Sequence, residues 1–374
     1  MILAVFLAAC DGMKTELDID SIAFPPKLCV TAILDGASGT FSIVLTEGRA
    51  LADYKTPQIP EEKIIRNGEI RLYEDDRLIL SEAGEFDLAL DNDVVISDHY
   101  GTGSMWFQGH HFEAGGITTN PGSAYRLEVE VDGYKTVTST SAMPTLPDVS
   151  ATIDTSVIVK KNSYKEYYSL AGWSYSGGSG GDINFWPVSL QWGGRASGRN
   201  YYALEMHEEK TLIEGVPNEW NREGRFNIGI CVSDLSKLQD NPEVEIFENQ
   251  EIDMDASSMN AGMYRFPILL MSDMGFTDNN ASLTLYKERV YTIDQGQYHP
   301  PENKRVVYHR KLTLRVRHIT EATFRYYRSL AMQSVGMDFF TEPVNIVGNI
   351  ENGYGGFTVF HAVDIPLFEC KTIY

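Results

Sequence analysis

In this chain of 374 residues cysteine is scarce, basic charge is outnumbered by acidic, helical patterning is confined to one segment, and no long apolar run occurs. Each shortage excludes something. The four cysteines, Cys10, Cys29, Cys231 and Cys370, lie far apart with no CxxC pair, which excludes a zinc-type centre and a disulfide-built scaffold. Bases number 31 against 52 acids, for a net charge of −21. Nucleic acid and anionic lipid both need a positive footprint, so neither is expected as the main partner. A membrane-crossing helix takes about 20 apolar residues, and no stretch of the sequence reaches that length. No phosphate loop or dinucleotide fingerprint is present. The glycine run at residues 177–181 lacks the lysine and the strand-to-helix setting that phosphate binding requires. Cofactors are expected to be none.

What the chain does have begins with MILAVFLAACDG. The apolar run is too short to span a bilayer, and the polar residues 11–24 read as a tether. Leu7-Ala8-Ala9-Cys10 has the form of a bacterial lipobox: an apolar residue, two small ones that fit a peptidase, then the cysteine. Cleavage would leave Cys10 at the new terminus, carrying acyl chains on its sulfur and its amine. Each buried methylene is worth about 0.8 kcal/mol, and two or more chains hold a protein firmly on a membrane. Residues 1–10 are thus expected to be a lipoprotein leader, with Cys10 as the lipidation site. If Cys10 is acylated, three cysteines remain, and free thiols are the plainer expectation for them.

From residue 25 to residue 142 the pattern is strand after strand. Leu28, Val30, Ala32 and Leu34 share one face; Tyr125, Leu127, Val129 and Val131 alternate with charge before the Asp132-Gly133 turn. Short strands with regular turn signals predict an immunoglobulin-like β-sandwich. Pro144 and Pro147 mark residues 143–148 as an exposed linker. Residues 149–374 are predicted to form a second, larger β-rich domain. Within it KLTLRVRHI alternates cleanly, and Thr320 then caps the one helix, near 320–334, where Thr323, Phe324, Tyr327, Leu330 and Ala331 recur at helical spacing. The fold class is therefore mostly β, with one clear helix.

Four constellations are candidates for binding or chemistry. Trp173, Trp186 and Trp192 flank the glycine run; such rings either stack on a glycan or anchor a partner from mobile loops, or they are core. His99, His110 and His111 cluster, but adjacent histidines on a strand point to opposite faces and chelate poorly, so no metal is expected. The acidic run at residues 243–255 has the alternation of an exposed strand face and lacks a calcium-loop spacing. Finally, eight bases stand between Lys304 and Arg328 against the lone acid Glu321. Lys311, Arg315 and Arg317 share one strand face, which either docks an acidic partner or is neutralised by an acidic strand, for which residues 243–255 are the candidate. No catalytic residues are predicted.

Three segments carry a resemblance: Pro26-Lys27-Leu28-Cys29-Val30 after the lipobox, Gly122 to Val129 with its G-x-x-Y-x-L-x-V pattern, and EPVNIVGNIENGYGGFTVF from Glu342 to Phe360. In these the chain resembles a family of Bacteroidota outer-membrane lipoproteins of unknown function, often encoded beside TonB-dependent receptors. The resemblance implies a lipid-anchored, non-catalytic accessory subunit of nutrient uptake, at the cell surface or the periplasmic face of the outer membrane. Its implied partners are the membrane through Cys10, a TonB-dependent receptor, and a glycan or peptide ligand. The alternative is a membrane-anchored hydrolase acting on glycan or peptide, whose paired carboxylates would meet only in space. The family supplies no catalytic residues, and its Asn- and Gly-rich C-terminal signature is expected to form either a ligand nest or a tight structural turn.

Overall fold

The computed structural model describes residues 26–48, 65–90, 110–161, 164–166, 183–193, 199–216, 223–232, 263–266, 268–273, 282–289, 306–335 and 346–373. The first strands are β1 (Lys27–Asp35), β2 (Thr40–Gly48), β3 (Asn67–Glu74), β4 (Arg77–Glu85), β5 (Leu88–Leu90), β6 (His110–Ala114), β7 (Ala124–Glu130) and β8 (Val137–Ala142). After residues 143–148 come β9 (Val149–Ile153), β10 (Val159–Lys161), β11 (Tyr164–Glu166), β12 (Ile183–Trp192), β13 (Tyr201–Glu214) and β14 (Gly224–Asn227). They are followed by β15 (Ile230–Val232), β16 (Met263–Phe266), β17 (Leu269–Ser272), β18 (Ser282–Glu288) and β19 (Val307–Ile319). The helix α1 (Glu321–Val335) then leads to the last strand, β20 (Tyr354–Ile373). The chain is mostly β, with one helix among the described residues.

A nine-stranded sheet is the frame, in the order β14-β13-β19-β20-β1-β2-β6-β5 with β17 also on β13. One of its faces carries two smaller sheets. The four-stranded sheet β4-β3-β7-β8 covers the β1 and β2 half, through a core of Leu28, Val30, Phe41, Ile43, Ile70, Leu72, Leu127 and Val129. The seven-stranded sheet, β10-β12-β18-β15-β16-β11 with β9 on β12, covers the β13 and β19 half, where Val188, Leu190, Leu204, Met206, Leu285, Leu314 and Val316 interlock. Strand β20 serves both: Phe357 and Val359 belong to the first core, while Val363, Ile365 and Phe368 pack on the second. Two sandwiches thus share one sheet.

That sharing bears on the expected domain division. The frame takes strands from both sides of residues 143–148, and its central contact is the parallel pairing of β1 with β20, from Cys29↔Tyr354 to Asp35↔Phe360. The pairing of β1, β2, β3 and β7 is compatible with an immunoglobulin-like sandwich, but β1 goes on to bond β20 and so extends its sheet into the second region. The predicted linker is tied on both sides. The Met143 N–H donates to Ser123 O at 2.9 Å, and Asp148 O accepts from Gly193 N at 3.0 Å. Its Met143 and Pro147 side chains are buried while Leu146 is exposed.

Local rules account for much of the detail. Thr320 caps α1, its Oγ1 accepting from the Thr323 N–H at 3.2 Å, and Glu321 pairs with Arg325 one turn on at 2.5 Å. Phe324, Tyr326 and Tyr327 bury against the frame's other face, on Tyr201, Ile319, Phe360 and Ala362. Burying rings of this size contributes about 1.5–3 kcal/mol each. The Asp132-Gly133 pair does turn the chain, with Gly133 at φ 88° and Tyr134 N bonded to Val131 O, but the ladder resumes only at Val129↔Val137. The turn sits within a longer loop instead of forming a two-residue hairpin. Tyr125 is tied by its hydroxyl, which donates to buried Glu74 at 2.5 Å and accepts from Asn120 N at 2.8 Å. Burial and the Glu74 carboxylate push the Tyr125 phenol up to about 12. Cys29, Cys231 and Cys370 form no disulfide with one another.

Candidate functional site

The two arginines singled out from β19 project from the frame face that α1 partly covers. Their neighbours by register are Ala203 and Glu205 on β13 and Ala362 and Asp364 on β20. Arg317 meets Glu205 at 2.7 Å, and the same carboxylate meets His207 at 2.9 Å. Arg315 pairs with Asp35 at the end of β1 and reaches Asp364 at 3.8 Å. Both guanidinium groups also approach the Phe360 ring, Arg317 at 4.8 Å from its centroid.

This network is closed. Glu205 and the two arginines are largely buried, and Tyr327 of α1 lies beside them. Burial alone would raise the Glu205 carboxyl, but Arg317, with His207 and Arg315, outweighs it and holds the group down at about 2. Of the two readings of the basic face, neutralisation across the sheet is the one this geometry has, although the partners differ from the expected ones. Residues 243–255 lie outside the described residues; the acids that neutralise are Glu205, Asp35 and Asp364. Sequence reasoning missed Glu205 and His207. The signal was the alternation Ala203, Glu205, His207 in YYALEMHEEK, complementary in sign to Arg317 and Arg315 but more than a hundred residues away.

The tryptophans divide. Trp173 lies outside the described residues, as do Cys10, His99 and the glycine run. Trp186 and Trp192 of β12 both turn inward between the nine- and seven-stranded sheets, each 3% exposed. Trp186 meets Phe368 edge-on at 5.2 Å between centroids, and Trp192 lies 5.8 Å from Tyr202. Their contribution is to the layer between sheets, and they form no surface platform with each other. His111 is buried and meets Glu113 at 3.4 Å, and no group of three or more metal-ligating side chains occurs among the described residues.

The C-terminal signature, of which residues 346–360 are described, forms a clasp. Asn349 grips the Phe357 backbone twice, donating from Nδ2 to its carbonyl at 2.8 Å and accepting from its N–H at 2.7 Å. Ser139 donates to Asn349 O at 2.7 Å, and Glu351 bridges to Thr138. Gly355 stands at φ 100°, where a Cβ would lie 2.0 Å from Val30 O. The glycines therefore permit close backbone approach where β1 meets β20. Of the two expected roles this is the structural turn, which welds the last strand to the first.

A family model described as a domain of unknown function (DUF4249) matches residues 14–365. The chain belongs to that family. The match takes in β1, the clasp and the Glu205 network alike, so the shared-sheet frame lies almost entirely inside the DUF4249 region. No curated protein matches the chain.

Proposed function

We propose that this DUF4249 chain is a lipid-anchored, non-catalytic component of a TonB-dependent nutrient uptake system in the outer membrane of Bacteroidota, acting as a binding or partner subunit. The observation that carries the reading is Leu7-Ala8-Ala9-Cys10 followed by a polar tether of residues 11–24. That tether leads directly into β1, which is bonded on both sides within the frame by β2 and β20. An anchor attached there would hold the protein by a strand that cannot be pulled out without breaking the sheet.

The Glu205 network is built for structure and is not poised for acid–base chemistry. A general acid or base works best with a pKa near the working pH, whereas Glu205, the most buried carboxylate of the central network, stays ionised down to about 2. Arg317 and Arg315 already hold carboxylate partners and are not available to a substrate. The test is fractionation of cells expressing the chain with Cys10→Ser. Release of the variant from the outer-membrane fraction into the soluble one is expected, together with loss of acyl labelling. A variant that still sediments with membranes after a high-salt wash refutes the anchor.

A further inference from the structure

Two histidines stand where the two sandwiches meet on the shared sheet. On β20, His361 lies on the same face as Val359 of the first core and Val363 of the second, and between them. Its direct cross-strand neighbour on β19 is His318. Residues 143–148 reach both rings. His318 Nδ1 lies 2.8 Å from Thr145 O; a carbonyl only accepts, so that nitrogen carries the proton and donates. Met143 and His361 close on the same point above Gly36: a Cβ there would lie 2.8 Å from Met143 Sδ and 3.0 Å from His361 Nε2. Neither ring nitrogen of His361 has a hydrogen-bond partner among the described residues.

This setting differs from that of His111, His207 and His309. Those rings lie 3.4, 2.9 and 3.3 Å from Glu113, Glu205 and Glu369, so a proton added there meets a carboxylate. Among the described residues, no carboxylate lies within ion-pair distance of His318 or His361. The acids that act on the pair are already engaged. Asp35 accepts from the Ala37 and Ser38 N–H groups and holds Arg315, while Asp273 accepts from the Asn200 N–H at 3.0 Å and its side-chain amide at 2.6 Å. Tyr202 contributes a neutral ring, 5.2 Å from that of His318, and Arg317 turns to the opposite face toward Glu205. Burial holds both imidazoles below their ordinary range; Thr145 and Asp273 oppose it at His318, where His361 adds to it, and Asp35 opposes it at His361. Like charges directly opposite on a ladder also repel.

We propose that the His318–His361 pair is a pH-sensitive latch: neutral, it holds residues 143–148 down across the seam between the two sandwiches; protonated, it releases them. In an opened segment each ring regains an ordinary pKa of about 6.5. Both values are depressed in the closed form, so the open form binds more protons. The latch is therefore shut above about pH 7 and weakens as the pH falls through about 6.5 toward the depressed values. Each ring can raise the open population by up to about tenfold per pH unit in that window. Glu205, held at about 2, does not titrate there. The latch does not depend on the membrane reading.

Amide hydrogen exchange of the purified chain at about pH 7.5 and about pH 5, corrected for the intrinsic rate, tests it. The reporters are the N–H groups of Gly122, Met143 and Gly193, which bond to Met143 O, Ser123 O and Asp148 O. Their opening should rise at least about tenfold on acidification, while the β1–β20 ladder keeps its protection. The double variant His318→Gln with His361→Gln carries no titrating ring, and its link should open equally at both pH values. The proposal is overturned if the parent shows no rise, if the double variant keeps the rise, or if the β1–β20 ladder opens to the same extent as the link. Should the double variant fail to fold, His361→Gln alone must lose part of the rise, and an undiminished rise in it overturns the latch equally.

Discussion

Glu205 offers the sharpest test of the frame's electrostatics. Its carboxylate is 4% exposed and makes contacts of 2.7 Å to Arg317 and 2.9 Å to His207. Replacing it by Gln keeps the shape and removes the charge, which leaves Arg317 buried against Phe360 without its counter-ion. Breaking one side of a buried pair costs about 3–5 kcal/mol, whereas replacing both sides with well-packed apolar residues is often close to neutral. Urea denaturation at pH 7 should therefore show Glu205→Gln losing about 3 kcal/mol, with Arg317→Met similar. The double variant Glu205→Leu with Arg317→Met should lose clearly less than the sum. The acid limb carries a second signature. Glu205 titrates at about 2 in the folded chain against about 4.3 in an unfolded one. Its folded pKa is depressed, so its contribution is complete above about pH 4.5 and disappears as pH falls toward 2. Removing the carboxylate should flatten the stability profile across that window. A Glu205→Gln loss below about 1 kcal/mol, or a double variant as unstable as the two singles added, would refute the reasoning.

Two further substitutions probe the backbone. Gly355→Ala should cost more than about 3 kcal/mol, because its Cβ would sit 2.0 Å from Val30 O at a φ of 100°; soluble yield and Tm both report it. Gly116→Ala is the control: its φ is 77° but nothing lies within 4 Å, so a loss of only about 1 kcal/mol is expected. In the β3–β4 turn, Asp75 and Asp76 both have positive φ, at 46° and 66°. Asp75 is held by Ser123 and by the Ala124 N–H, while Asp76 is almost fully exposed. Asp76→Gly should therefore raise stability by up to about 1 kcal/mol, and Asp75→Gly should lower it. Equal signs for the two, measured by Tm, would count against this reading of the turn.

What the sequence determined by itself was local. Period-two alternation is a property of each strand, so the buried faces of β1, β7 and β19 were legible without a partner, as was α1 from Thr320 and its helical spacing. The basic character of the Arg315 and Arg317 face was equally plain. Which acid would meet it was not, because Asp35, Glu205 and Asp364 come from three distant strands and only sheet order brings them together. The same holds for Trp186. Its composition allowed a surface platform or a core ring, and the stacking of one sheet on another turned it inward beside Phe368 and Lys287. The proline-marked link at residues 143–148 fell where the pattern changes, yet the parallel pairing of β1 with β20 carries the frame across it. A pairing between strands more than three hundred residues apart leaves no periodic trace. It depends on close backbone approach at Gly355 and on one long strand serving two cores, and only the folded chain supplies both.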